Sequence, residues 1–172
     1  MSVKIIDNRK EWDRIRKEIV LFKNGKTSIG FFTGGNDPSK DLATRAMVQE
    51  YGARIPVTKK MKGFFAYKFG IQLKTKMIRI PARPFQRRTF DNNQGMIQKM
   101  INMFYGKVID GKLSAKQALS QLGEWYRGLT IVAVRSGGFA PNAPLTIKQK
   151  KSSRPLVNSG EMINSLTHRE TL

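Results

Sequence analysis

Pro81 and Pro84, standing in the run Ile80-Pro81-Ala82-Arg83-Pro84-Phe85-Gln86-Arg87-Arg88-Thr89-Phe90-Asp91, constrain this chain more than any other pair of residues. Proline fixes φ and has no backbone donor, so neither a helix interior nor a central strand runs through such a segment. An echo lies near the other end. There Ala143-Pro144-Leu145-Thr146-Ile147-Lys148 leads to Lys151-Ser152-Ser153-Arg154-Pro155-Leu156-Val157-Asn158-Ser159-Gly160-Glu161-Met162-Ile163-Asn164-Ser165-Leu166. Both segments mix prolines, cations and single apolar residues, and neither holds a group able to drive a reaction. They read as stiff, basic, extended docking segments, which points to assembly before catalysis.

The rest of the composition narrows the classes. A chain of 172 residues that is 40% hydrophobic fits one domain, 1–172, with a real core. No apolar run approaches the ~18 residues of a membrane span, and Val3–Ile6 is too short for a signal-peptide core. Synthesis in the cytoplasm is the expectation. Cysteine is absent, which excludes disulfides, thiolate catalysis and cysteine-bound zinc. The single histidine, His168, reads as a solvent-exposed or strand-face residue, since a metal site would need partners from other subunits. Against thirty-two bases stand twelve acids, giving a net charge of +20. That field attracts DNA, RNA, anionic membrane or acidic protein, and it disfavours clustered-carboxylate chemistry.

Periodicity places the elements. Trp12, Ile15, Ile19 and Phe22 predict a helix over about residues 9–22, capped by Asn8 with Glu11 and ended at Asn24-Gly25. Lys26–Thr33 alternates as a strand and stops at Gly34-Gly35-Asn36, which reads as a turn because no Lys-Ser/Thr pair follows to make a phosphate loop. Asp37-Pro38 opens a helix to about Tyr51, with Leu42, Ala46 and Met47 inward and Gly52 closing it. Residues 53–80 read as a long basic β-hairpin arm, with Phe64–Phe69 as one strand and Ile71–Ile80 as the other. Its lysines, Lys59, Lys60, Lys62, Lys68, Lys74 and Lys76, fit phosphate contacts and fit a solvated face guarding a strand edge equally well.

Asp91 with Gln94 predicts the start of the next helix, whose stripe is Ile97, Met100, Ile101, Phe104 and Val108. After Asp110-Gly111, Ser114 with Gln117 starts another, lined by Ala115, Ala118, Leu119, Leu122, Trp125, Tyr126 and Leu129. A short turn makes the two an antiparallel pair. Ile131–Val134 fits a strand or a continued helix, and Arg135–Pro144 fits a loop. Residues 136–172 form a loop and an extended C-terminal arm, with a short helix at Thr146–Lys151 and a strand over about Met162–Arg169. The class is α+β: a small, mostly antiparallel sheet packed against a helix pair, with two arms.

Three features of this sequence resemble a family, the neck and tail-completion (virion-morphogenesis) proteins of tailed bacteriophages. They are Glu50-Tyr51-Gly52, then Ile80–Phe85 leading to Arg88-Thr89-Phe90, then Pro144–Lys148 with Lys151–Gly160 and Asn164-Ser165-Leu166. In order they cover most of residues 27–168. Two departures stand out: the 53–80 arm is longer than the family pattern, and Asn158-Ser159-Gly160 stands where that pattern has Asp-Thr-Gly. The resemblance implies a non-enzymatic virion protein without cofactor or metal, at the head–tail junction. Proteins so placed form rings, commonly hexamers, against head-connector and tail-tube proteins, with transient contact to genomic DNA.

On that reading Arg83, Pro84, Phe85, Arg87, Arg88, Lys148, Lys151, Arg154, Pro155 and Leu156 are the expected subunit or partner interface. Proline-fixed segments lose little entropy on docking and can add a strand to a neighbour's sheet. Lys59, Lys60, Lys62, Lys74 and Lys76 are the candidates to face DNA. The alternative reading is a basic nucleic-acid-binding module, in which Phe64, Phe65, Tyr67 and Phe69 stack bases. An enzyme is the least supported, for want of paired acids, an activated nucleophile or a phosphate loop.

Overall fold

The computed structural model describes residues 9–32, 39–157 and 160–172, and for residues 39–41 the backbone alone. The expected Asn8 cap, the Gly34-Gly35-Asn36 turn, the Asp37-Pro38 helix start and Asn158-Ser159 lie outside the described residues. Among those described, the order is α1 (Arg9–Asn24), β1 (Lys26–Gly30), α2 (Ser39–Tyr51), β2 (Ala53–Pro56), α3 (Lys59–Phe69), β3 (Met77–Ile80) and α4 (Phe85–Ile109). Then follow α5 (Ala115–Ser136), α6 (Pro144–Lys150), α7 (Glu161–Asn164) and β4 (Thr167–Thr171). The class is α+β, with two separate two-stranded antiparallel sheets, β1–β4 and β2–β3, in place of one.

The α4–α5 hairpin is the frame. Ser114 accepts from the Gln117 N–H while the Gln117 side chain accepts from the Ser114 N–H, so the capping box forms as its spacing predicts. Phe104, Val108, Ala115, Ala118, Leu119 and Leu122 bury one face of the hairpin against Phe22 of α1. Each large apolar side chain so buried contributes about 1.5–3 kcal/mol. Ile15 and Ile19 are half-buried on the same face of α1, but Trp12 is 61% exposed. The α4–α5 turn at Gly111 lies against Arg14 and Ile15, which leaves Trp12, further out, uncovered by the described residues. Met47 departs likewise: it is 59% exposed while Leu42 and Ala46 of α2 are buried.

The β1–β4 ribbon lies on α5 with Thr27 opposite Glu170 and Ile29 opposite His168. Close approach depends on Gly123, where a Cβ would meet His168 Cδ2 and Thr27 Oγ1, both at 2.6 Å. His168 is thus a strand-face residue, its Nε2 3.2 Å from Ser120 Oγ. Residues 131–134 continue α5, and Val134 packs with Ala46, Phe85, Leu156 and Ile163 in a second core. The expected strand over Met162–Arg169 is instead α7 followed by β4, because Ile163 and Leu166 turn inward before pairing begins.

The 53–80 arm departs most from expectation. Only Ala53–Pro56 and Met77–Ile80 pair as strands, and Phe64–Phe69 is helical, not extended. Thr58 accepts from the Met61 N–H at the start of α3, and Gly70, at φ 65°, ends it in the left-handed conformation. The two caps outweigh the strand preference of the aromatics. None of the residues of α3 is buried. Phe64, Phe65 and Phe69 pack edge-to-face on one another, with centroids 5.4–6.0 Å apart. Among the described residues no helix is long and apolar enough to cross a membrane.

Candidate assembly node and basic arm

The three segments that carry the family resemblance, far apart in the chain, meet at one node. Glu50, in the last turn of α2, places its carboxylate at the start of α4. Its Oε2 accepts from the Gln86 N–H and its Oε1 from the Arg87 N–H, both at 3.0 Å. These are orphan donors of a helix N-terminus, where a negative charge also meets the favourable end of the macrodipole. The predicted helix start at Asp91 and Gln94 is therefore displaced to Phe85; in its place the helix shows a non-helical residue at Asn93, φ −125°. Gly52 lets the chain turn away at once. At φ 74° it is left-handed, and a Cβ there would stand 2.8 Å from the Ile80 carbonyl oxygen and 2.9 Å from the Ala82 nitrogen.

Arg83, expected at a subunit interface, is instead an internal clasp, only 4% exposed. Its backbone N–H donates to the Gln49 carbonyl at 2.6 Å, and its Nη1 donates to the Gln49 side-chain oxygen. Nε donates to the Ala140 carbonyl at 2.7 Å, and Nη2 to the Pro141 carbonyl at 2.8 Å and Asn142 Oδ1 at 3.4 Å. A planar guanidinium can serve acceptors on several sides at once, which an ammonium cannot. Burial pulls its pKa below the ordinary arginine value, yet it stays charged. Asn142 passes the tie on, its Nδ2 donating to the Arg154 carbonyl at 3.1 Å. Loop 137–143 and the start of the C-terminal arm are thus fastened to α2.

The other expected interface residues divide. Phe85 and Leu156 are core residues, 2% and 9% exposed, because the node draws both under α2 and α5. Pro84 and Pro155 are half-buried. Arg88 is exposed but engaged, its Nη1 donating to the Gly138 carbonyl at 2.7 Å and its guanidinium lying 5.1 Å from the Phe139 ring centre. Arg87 is exposed with its guanidinium 5.3 Å from the Tyr51 ring centre, and Lys148, Lys151 and Arg154 are exposed. The node thus consumes Arg83, Phe85 and Leu156, while Arg87, Lys148, Lys151 and Arg154 remain at the surface.

In the arm, Lys59, Lys60 and Lys62 stand on α3, not on a strand, and Lys74 and Lys76 on the loop before β3; all five are exposed. Residues 53–80 carry eight bases and no acid. Sequence reasoning passed over Gln49, Asn142, Arg54 and Arg79. Only the fold joins the first two to Arg83, and only strand register brings Arg54 opposite Arg79. Among the described residues no group of histidine or acidic side chains could hold a metal ion. No family model, curated protein or solved structure matches the chain.

Proposed function

We propose that this protein is a structural subunit of a tailed-bacteriophage virion, assembling as a homo-oligomeric ring, a hexamer, at the head–tail junction. Its neighbours there are head-connector and tail-tube proteins, and it performs no catalysis. The observation that carries this reading is open sheet edge. Among the described residues both sheets are two-stranded, so each has edges to which a neighbour's extended segment can add. The arm between β2 and β3 adds uncovered surface, since no residue of α3 is buried. The three resemblance segments reach the Glu50–Arg83 node through Glu50, through Arg83 and Phe85, and through Arg154 and Leu156, which supports a shared fold plan.

The exposed cations Arg87, Lys148, Lys151 and Arg154 then meet acidic surface on adjoining subunits or rings. Sedimentation velocity on the purified chain tests this. A closed oligomer should form in moderate salt, and Lys148→Glu with Lys151→Glu should reduce it to monomer without loss of helix content. A wild-type chain that stays monomeric at every concentration would overturn the ring.

A further inference from the structure

We propose that the β2–α3–β3 arm is a docking face for single-stranded nucleic acid, with Arg54 and Arg79 at its centre gripping the phosphate backbone. The two arginines are direct partners in the antiparallel register, and both are exposed. Side chains directly opposite one another are close neighbours, and like charges so placed are destabilising. Neither joins an ion pair among the described residues, and no acid occurs anywhere from Tyr51 to Phe90. A repelling pair kept without a counter-charge is accounted for by an anion from outside that bridges it. An open hollow of about 550 Å³ lies beside them, walled by Tyr51, Ile80 and Pro81.

The remainder of the arm fits the same ligand. Lys60, Phe64, Tyr67 and Lys68 fall on one face of α3 at i, i+4, i+7 and i+8. Tyr67, 94% exposed, has its ring open to a base, while Phe64 is 49% exposed with Lys68 Nζ 5.4 Å from its ring centre. Cations that follow a backbone, interleaved with exposed rings on which bases stack, are the features of sequence-tolerant single-strand binding. An acidic protein surface would satisfy the cations but has no need of the rings. The inference is independent of the ring reading, since binding and oligomeric state are read in separate experiments.

The test is fluorescence anisotropy of a labelled single-stranded oligonucleotide of about 20 nucleotides, titrated between about 50 and 200 mM salt. Arg54→Gln with Arg79→Gln should lower the slope of log K against log salt by about 1.4, the value for two phosphate contacts on a single strand. Arg16→Gln with Lys17→Gln, which removes two exposed charges from α1, should leave the slope unchanged. Tyr67→Ala should weaken binding at least about fivefold. The arm variant should be no less stable to heat than wild type, since it relieves a like-charge pair. An unchanged slope in the arm variant, or an equal fall in the α1 control, would overturn the proposal. So would polyglutamate or anionic vesicles competing as well as the oligonucleotide at equal charge, which would assign the arm to an acidic protein or a membrane surface.

Discussion

Glu50 stands 36 residues before Gln86, yet its carboxylate lies 3.0 Å from the Gln86 backbone nitrogen and equally close to that of Arg87. The longest helix therefore begins where another helix's side chain tells it to. The same device recurs at the other long helix, where Glu18 of α1 accepts from the Ala115 N–H at 2.6 Å. In a chain with only twelve acids, two are spent on these helix starts. Removing such an acceptor costs about 0.5–2 kcal/mol. Glu50→Ala and Glu18→Ala should each lower stability by about 1–2 kcal/mol in urea unfolding, and Glu50→Gln, which keeps one acceptor, by about half as much. No change in midpoint for Glu50→Ala would show that the cap carries no energy.

Arg83→Lys keeps the charge but cannot reach the Ala140 and Pro141 carbonyls and the Gln49 side chain together. Hydrogen bonds to a charged group contribute about 1.5–3 kcal/mol each, so the loss is about 2–4 kcal/mol when these part-buried bonds go unmade. Trypsin reports it directly. Cleavage after Lys148, Lys150 and Lys151 should speed up about tenfold or more, because the segment they occupy opens locally once its clasp is gone. Unaltered cleavage rates would separate the arm from Arg83.

At Gly123 a methyl group has no room, with His168 Cδ2 and Thr27 Oγ1 each 2.6 Å from the Cβ position. Gly123→Ala should cost about 1–3 kcal/mol as overpacking lifts the β1–β4 ribbon from α5. In a His168→Ala background the cost should shrink, giving a coupling above about 0.5 kcal/mol in a double-mutant cycle. Strict additivity would mean that the ribbon already rides clear of the helix.

Tyr126 links the node to alkaline pH. Burial first, then the Glu50 and Asp91 carboxylates, raise its pKa above the ordinary value of 10.0. In the unfolded chain the phenol loses its proton near pH 10, while in the fold it retains it. The folded state then binds more protons, so stability is full below pH 10 and falls as pH rises through the window above it. Tyr126→Phe should flatten that part of the stability–pH curve. A curve of the same slope in the variant would assign the alkaline loss to other groups.

Much of the frame was legible in the residues. The α4–α5 pair follows from an apolar stripe of helical period and from Ser114 with Gln117, signals that lie within a few residues of what they control. Asp91 with Gln94 carries the same local pattern and misleads, since the true cap arrives from Glu50 by tertiary contact. Phe64–Phe69 reads as a strand on composition, and the turn residues Thr58 and Gly70 decide it as a helix. Arg83 could be seen as special, but between its two prolines it reads as a surface cation. Its burial depends on loop 137–143 folding back, which no local pattern encodes. Arg54 and Arg79 draw no notice as isolated bases and become a site only through register.

The proposed ring is open to direct view by cryo-electron microscopy of purified virions from cells that make this chain, focused on the head–tail junction. A closed ring of density is expected there, into which the α4–α5 hairpin fits once per subunit, with residues 53–80 and 136–172 bridging neighbours. Finished particles without the chain, or with it as isolated monomers on the capsid surface, would overturn the ring reading.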